Sequence, residues 1–172
     1  EVFAQKAIIE EKNKDITDSI KYAKKIQQAL MPETGLLNRG FSESFVYYRP
    51  KDIVSGDFYW IEVFTKNVTV FAAADCTGHG VPGAFMTLLG HNFLNLTVNI
   101  QEVTDPEQII YKLDEQIVKT LRQHDPSSIR DGMDIAVLSI EKEKQMISFA
   151  GAGNPLYYYS KGEFNEIKGA AF

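Results

Sequence analysis

The chain has 172 residues, 44% of them apolar and 24% charged, with a net charge of -5. That length and balance bury a core for one domain plus an appendage, and they exclude the disordered and fibrous classes. Lys and Arg are scattered, so the clustered basic face that a phosphate backbone requires is missing and nucleic acid is excluded as a partner.

Residues 2–31 contain no Gly or Pro and are dominated by Glu, Lys, Gln, Ala and Ile, which predicts one long exposed helix. At a rise of about 1.5 Å per residue it would be roughly 45 Å long, more than a domain of this size needs for its own core. Val2, Ile9, Ile16, Ala23 and Leu30 recur every seven residues and make one seam of a coiled coil. The companion seam is poor, because Lys6, Asn13 and Gln27 share it with Ile20. A weak or conditional helix pair follows, one that makes a homodimer of two copies when it forms. Residues 1–32 therefore read as a linker or regulatory helix coupled to an upstream sensor domain, the alternative being a helix that packs back on its own domain. Pro32, with Gly35 shortly after, ends it.

From Phe41 the pattern changes to short runs rich in Val, Tyr, Phe and Ile, and residues 41–172 read as the globular domain. Ser44 to Arg49 predicts a strand interrupted by Pro50-Lys51-Asp52. Phe58 to Thr65 and Val68 to Ala74, turned by Lys66-Asn67, predict a hairpin. Pro82 pre-sets the first turn of a helix whose apolar face is Phe85, Leu88, Leu89, Phe93 and Leu96. A second helix follows Asp105-Pro106, with a stripe of Ile109, Ile110, Leu113, Ile117 and Leu121, and closes at His124-Asp125-Pro126. Met133 to Ile140, Met146 to Ala150, Leu156 to Tyr159 and Phe164 to Ile167 are strands. Strands, then helices, then strands predict an α+β fold of segregated layers with mainly antiparallel sheet.

Cys76 is the single cysteine and cannot form an internal disulfide. The N-terminus has no signal-peptide pattern, and no apolar run approaches the roughly 18 to 20 residues that span a bilayer. A cytoplasmic location is expected, although a larger parent protein could carry a membrane part. The Asn95-Leu96-Thr97 sequon reads as helix surface.

Two aspartates carry the chemistry. Asp75 stands where an apolar strand emerges into Cys76-Thr77-Gly78-His79-Gly80, and Asp57 begins the strand that forms the other arm of the hairpin. The start of one antiparallel strand lies beside the end of the next, so the two carboxylates meet at one sheet edge. Paired carboxylates repel unless one is protonated or a cation lies between them. An all-oxygen donor set suits Mg²⁺ or Mn²⁺. Both aspartates also have a plainer reading as turn formers beside glycine.

Gly56 and Gly78 allow close approach of backbone, and with His79 and Gly80 they support the loop. His79 is read as a loop histidine before a ligand or proton donor, because its neighbours are all oxygen. Cys76 is read as a small buried residue whose backbone carbonyl matters more than its sulfur. His91 and His124 read as ordinary histidines, Arg49 and Lys51 as solvated surface before phosphate contacts, and Asp134 as part of a turn entering a strand.

Four segments resemble, in order, motifs of the bacterial stage II sporulation protein E-like phosphatases, a branch of the metal-dependent type 2C serine/threonine protein phosphatases. They are Gln27 to Pro32, Ser55 to Trp60, Asp75 to Ala84 and Ala150 to Leu156. The resemblance implies an α-β-β-α sandwich and a pair of Mg²⁺ or Mn²⁺ ions that activate water for attack on a phosphoserine or phosphothreonine. Asp57 and Asp75 match the first two metal-binding and catalytic aspartates, Asp75 as the bridging ligand and the Cys76 carbonyl as a further one.

It also implies phosphorylated anti-sigma-factor antagonists as the substrate class, and regulation through the N-terminal helix. Ser55 departs from the glycine of many relatives, and the spacing from Asp75 to His79 does not support carrying over a proton-donor role. The family's later aspartates would lie beyond Phe172, and Asp125, Asp131 and Asp134 precede the last motif and cannot replace them by order. The expectation is a phosphatase domain incomplete at its C-terminus, with weak or no activity as given. The alternative is a non-catalytic phosphoprotein-binding or dimerisation module of the same fold. A nucleotide cyclase is disfavoured, since no phosphate-cradling loop with a following Lys is present.

Overall fold

The computed structural model describes residues 2–33, 35, 36, 41, 43–125 and 130–170. The first helix, α1, runs Val2–Leu30, as its composition predicts, and Gln27 is the one residue it buries. The seam residues Val2, Ile9 and Ile16 are exposed. Only the last turns of α1 reach the domain, where they contact the helix that follows the first hairpin.

Strands β1 (Asp57–Glu62) and β2 (Val68–Cys76) form the predicted hairpin, and β3 (Met133–Glu141) and β4 (Met146–Ala152) extend it into a four-stranded antiparallel sheet in the order β1-β2-β3-β4. Alternation sorts the side chains. Phe58 and Trp60, Val70, Ala72 and Ala74, and Ile135 and Val137 point to one buried face. Helices α2 (Gly80–Asn95) and α3 (Pro106–Thr120) cover that face, and α2 runs straight into a wider π turn over Leu96–Ile100. The core is the apolar layer between them, with Met86, Phe93 and Leu94 of α2 and Ile109, Leu113 and Ile117 of α3.

Helix α3 starts as its sequence dictates. Asp105 accepts the Gln108 backbone N–H at 3.0 Å, and Pro106 takes the first turn where its missing N–H costs nothing. The predicted stop at His124-Asp125-Pro126 is a turn through residue 125, Pro126 lying outside the described residues. Strands β5 (Leu156–Ser160) and β6 (Glu163–Ile167) pair antiparallel as a second, two-stranded sheet. The α+β architecture of helices and antiparallel sheet, led by a long N-terminal helix, is the one predicted.

Three local expectations need correction. Ser44 to Arg49 is extended but has no strand pairing among the described residues. It is held by side chains: Tyr48 donates its hydroxyl to the Asp57 carbonyl at 3.2 Å and meets Tyr59 edge to face, while Phe45 and Tyr47 stay exposed.

The buried face of α2 is Gly83, Met86, Thr87, Gly90, Phe93 and Leu94, and Phe85 is 63% exposed. The helix lies so close to the sheet that a Cβ on Gly90 would sit 2.8 Å from the Phe58 ring, so small residues share the inward face with Met86, Phe93 and Leu94. The sequon is not surface: Asn95 accepts the Trp60 indole N–H at 3.0 Å, and Thr97 is fully buried.

Candidate functional site

The hairpin register places Asp57 directly opposite Asp75. The Cys76 N–H donates to the Gly56 carbonyl at 3.2 Å, which makes the neighbouring Asp57/Asp75 position a non-hydrogen-bonded pair, the kind in which side chains stand closest. Both carboxylates lie on the sheet face away from the helices. Burial, then a hydrogen bond to Asp75 and its charge, raise the Asp57 carboxyl above the usual carboxylate range. Two acids that compete for a proton are a donor set for a hard divalent cation, so the residues present fit Mg²⁺ or Mn²⁺.

Backbone packing fixes this corner. Gly56 lies against the second loop: a Cβ there would sit 2.6 Å from the Gly78 carbonyl oxygen and 3.2 Å from that of Cys76. A Cβ on Gly83, in the first turn of α2, would meet the same Gly78 oxygen at 2.6 Å. The Asp57 loop, the Asp75 loop and the N-terminus of α2 therefore close on one another with no room for a side chain. Gly78 also has φ +85°, a conformation that glycine takes without strain.

Around the carboxylates is a cleft of about 330 Å³ whose walls include Lys51, Ser55, Asp57, Asp75, Gly78 and His79. His79 pairs through Nδ1 with Asp52 at 2.6 Å, and Gly80 continues into α2 beside that same Asp52 carboxylate. His79 thus ties the glycine-rich turn to the loop before β1. Arg49 borders a second cleft on the other side of Asp57 and Asp75, with Tyr48 and Asn154. Cys76 faces the core, and burial foremost, followed by the Asp75 and Asp57 charges, pushes its thiol up to about 12 against an opposing hydrogen bond from Thr87. Such a thiol is no nucleophile at neutral pH.

The register also brings in residues to which spacing gave little weight. Asp134 stands opposite Asp75 on β3, so Asp57, Asp75 and Asp134 form a row across three strands. The Asp134 carboxylate packs against Gly153, and its carbonyl accepts the Asn154 amide at 3.0 Å. Among the described residues no group of three or more His, Cys, Asp or Glu is placed to hold one ion.

Gln27 and Thr87, both buried, serve the backbone of the Asp57 loop. Gln27 bonds both the N–H and the carbonyl of Ser55, and the Thr87 hydroxyl lies 3.0 to 3.2 Å from the carbonyls of Ser55, Gly56 and Gly83. Their signal in the sequence is only a polar residue at a helix position that otherwise packs. His91 is half-buried at the base of this region. Asn95 spends its carbonyl on Trp60, so its NH₂ donates to His91 Nδ1 and the opposite ring N–H donates to the Leu30 carbonyl. Burial lowers its pKa, against the raising effect of the Leu30 bond.

The antiparallel sheet and its covering helices belong to a domain of the type 2C phosphatase class. The family model of Stage II sporulation protein E (SpoIIE) matches residues 65–170, and the chain belongs to that family, whose fold is of the protein phosphatase type. Its structure is similar to the SiaA-PP2C domain of Pseudomonas aeruginosa, with a TM-score of 0.77 and 31% sequence identity. That similarity covers 92% of this chain and 62% of the other, so the chain spans less than two thirds of its relative's length. No curated protein matches the sequence. No helix among the described residues is long and apolar enough to cross a membrane.

Proposed function

We propose that the chain is the catalytic domain of a metal-dependent protein serine/threonine phosphatase that uses Mg²⁺ or Mn²⁺ and is regulated through α1. The observation that carries the reading is the direct cross-strand pairing of Asp57 with Asp75 at the sheet edge of a SpoIIE-family domain. Asp57 and Asp75 would hold the ion, with the Cys76 backbone carbonyl as a further oxygen donor. The bound ion supplies Lewis acidity toward phosphoryl oxygens and makes water a nucleophile near neutral pH.

The chain's own residues do the rest. The glycine contacts of Gly56, Gly78 and Gly83 fix the separation of the two carboxylate loops, and the His79–Asp52 pair anchors the turn between them. No side-chain nucleophile is needed, consistent with the high thiol pKa of Cys76. Lys51 lies on the cleft wall, where a cation would meet an incoming phosphoryl group. The substrate class is a phosphoserine or phosphothreonine on a signalling protein of the anti-sigma-factor-antagonist kind, and the upstream input is a sensor domain acting along α1.

The test is Mn²⁺-dependent phosphate release from a phosphoserine protein of that class by the parent and by Asp75→Asn. Weak release by the parent that the variant loses is the expected result. Equal release by both would overturn the site. Saturable binding of the phosphoprotein with no turnover in Mg²⁺ or Mn²⁺ would favour a non-catalytic phosphoprotein-binding module instead.

A further inference from the structure

Helix α3 buries Ile109, Ile110, Leu113 and Ile117 and leaves Glu107, Tyr111 and Asp114 exposed along one side. Two cavities follow that side. The first, about 450 Å³, begins at the carboxylates of the site, with Asp75 and Asp134 on its wall and Ile110, Leu113 and Ile117 beneath. The second, about 440 Å³, lies between α3 and the edge of β4, and Glu107, Tyr111, Asp114 and Phe149 stand around it. Ile110 and Asp114 belong to both, so the cavities meet at the middle of α3 and make one groove that leads away from Asp75.

The groove has the chemistry of a cleft for long cationic side chains. Carboxylates follow it from Asp75 and Asp134 through Asp114 to Glu107, against one amine, Lys168. Among the described residues neither Asp114 nor Glu107 forms an ion pair, so the chain does not neutralise them itself. Lysine and arginine lay their methylene stems on apolar surface and keep their charged heads at its rim. Tyr111, 71% exposed between the two carboxylates, adds an aromatic face of the kind that draws a cation. Glu107 and Asp114 stand at positions i and i+7 of the helix, about 10 Å apart along its axis. A chain in the polyproline II conformation returns to the same side every third residue, after about 9 Å. Two basic residues at i and i+3 of an extended segment therefore match the two carboxylates.

We propose that this groove holds a basic segment of the phosphorylated protein, with two Lys or Arg side chains at Asp114 and Glu107 and the phosphoresidue at the Asp75 end. The proposal rests on the phosphatase reading of Asp57 and Asp75 and narrows its substrate class to a phosphoserine or phosphothreonine with basic residues near it. Charge sets the direction of the bound segment along α3, its anionic phosphoresidue at the metal centre and its cations in the groove, and an acidic flank is repelled. Asp114 and Glu107 thus select among phosphoproteins without touching the reacting atoms.

The test is fluorescence anisotropy of labelled phosphoserine peptides on the full chain in Mn²⁺. The peptides carry Lys-x-x-Lys, or Gln at both lysine positions, on one side or the other of the phosphoserine. Glu107→Gln and Asp114→Asn change exposed side chains and leave the proposed metal ligands in place. Each carboxylate should contribute about twofold to fivefold to binding of the Lys peptide on one of the two sides, and at their separation the two factors should multiply. The preference should shrink as salt is added. The double variant should bind the Lys and Gln peptides alike, with its affinity for the Gln peptide equal to the parent's. Equal binding of Lys and Gln peptides by the parent on both sides, or a Lys preference that survives in the double variant, overturns the proposal. A Lys preference that the double variant loses, with phosphorylated and unphosphorylated peptides bound equally in Mn²⁺, supports the groove and places the failure in the metal reading.

Discussion

If Asp57 and Asp75 are held together to await a cation, replacing one should stabilise the metal-free protein and disable the metal-bound one. In the non-hydrogen-bonded pair the Cβ atoms are about 5 Å apart. Two unit charges at about that separation, on exposed side chains in a water-like dielectric, repel by about 1 kcal/mol, less at high salt. For a chain of this size, about 1 kcal/mol moves the melting temperature by about 2 to 4 °C. Asp57→Asn in EDTA near pH 7 should therefore melt higher than the parent by a shift of that size, one that shrinks as salt is added. The Asp57 carboxyl is raised first by burial and then by the hydrogen bond and charge of Asp75, so part of its shift is this repulsion seen from the proton's side. Because the folded state holds that proton more tightly than the unfolded chain does, the cost is present above the folded pKa and relieved as pH falls through it. With Mn²⁺ at about 100 times its dissociation constant the parent gains about 2.7 kcal/mol and the variant little, so the order of the two melting temperatures inverts. Differential scanning calorimetry with and without Mn²⁺ reads both halves. A variant that melts below the parent in EDTA, or gains as much as the parent from Mn²⁺, would refute the reasoning.

Other consequences follow from buried groups. The Thr69 hydroxyl is buried with no hydrogen-bond partner, so Thr69→Val, close in shape, should raise stability by about 1 kcal/mol in chemical denaturation. Because His91 titrates below its usual value when folded, the unfolded chain binds more protons as pH falls through about 6.5, and stability should fall there by at most about 1.4 kcal/mol per pH unit. His91→Gln should remove that part of the slope, and a parent-like slope in the variant would assign it elsewhere. With its thiol pushed up to about 12, Cys76 should resist iodoacetamide at pH 8 in the native protein and react on unfolding, as mass spectrometry would show.

How much of this could be read in the sequence depends on what each residue binds. The hairpin and the meeting of Asp57 with Asp75 at its open end were legible from the two apolar runs and the turn residues between them, but the register was not. Lys66-Asn67 as a two-residue turn would pair Thr65 with Val68, whereas the strands stop at Glu62, restart at Val68 and pair with Phe58, Trp60, Val70 and Ala72 on the buried face. The face of α2 was legible in part: Phe93 is buried and Leu89 packs against the core as expected, but Phe85 is exposed, and the close approach to the sheet selects Gly83, Thr87 and Gly90, which a stripe drawn by size passes over. Ser44 to Arg49 has the composition of a strand, but pairing depends on a neighbour that composition does not specify. Asp134 was legible only as a turn residue; its place beside Asp75 comes from the β2–β3 register, which a local reading cannot fix.

Gln27 and Thr87 were harder still, because their task is to hold backbone and not to present chemistry. A carboxylate beside glycine at a strand end announces itself; a glutamine on a charged helix does not. What reveals such a residue is a count of where the backbone groups of a tight turn find their partners. The Cys76 N–H serves the Gly56 carbonyl, the last bond that β2 offers on that side. Ser55 lies one residue beyond it, buried, next to the Gly56 position where the Gly78 carbonyl leaves no room for a side chain. Its N–H must be met from outside the sheet, and the side chain that meets it belongs to α1. A corner that brings two carboxylates together thus draws one of its backbone partners from a helix that is otherwise in solvent.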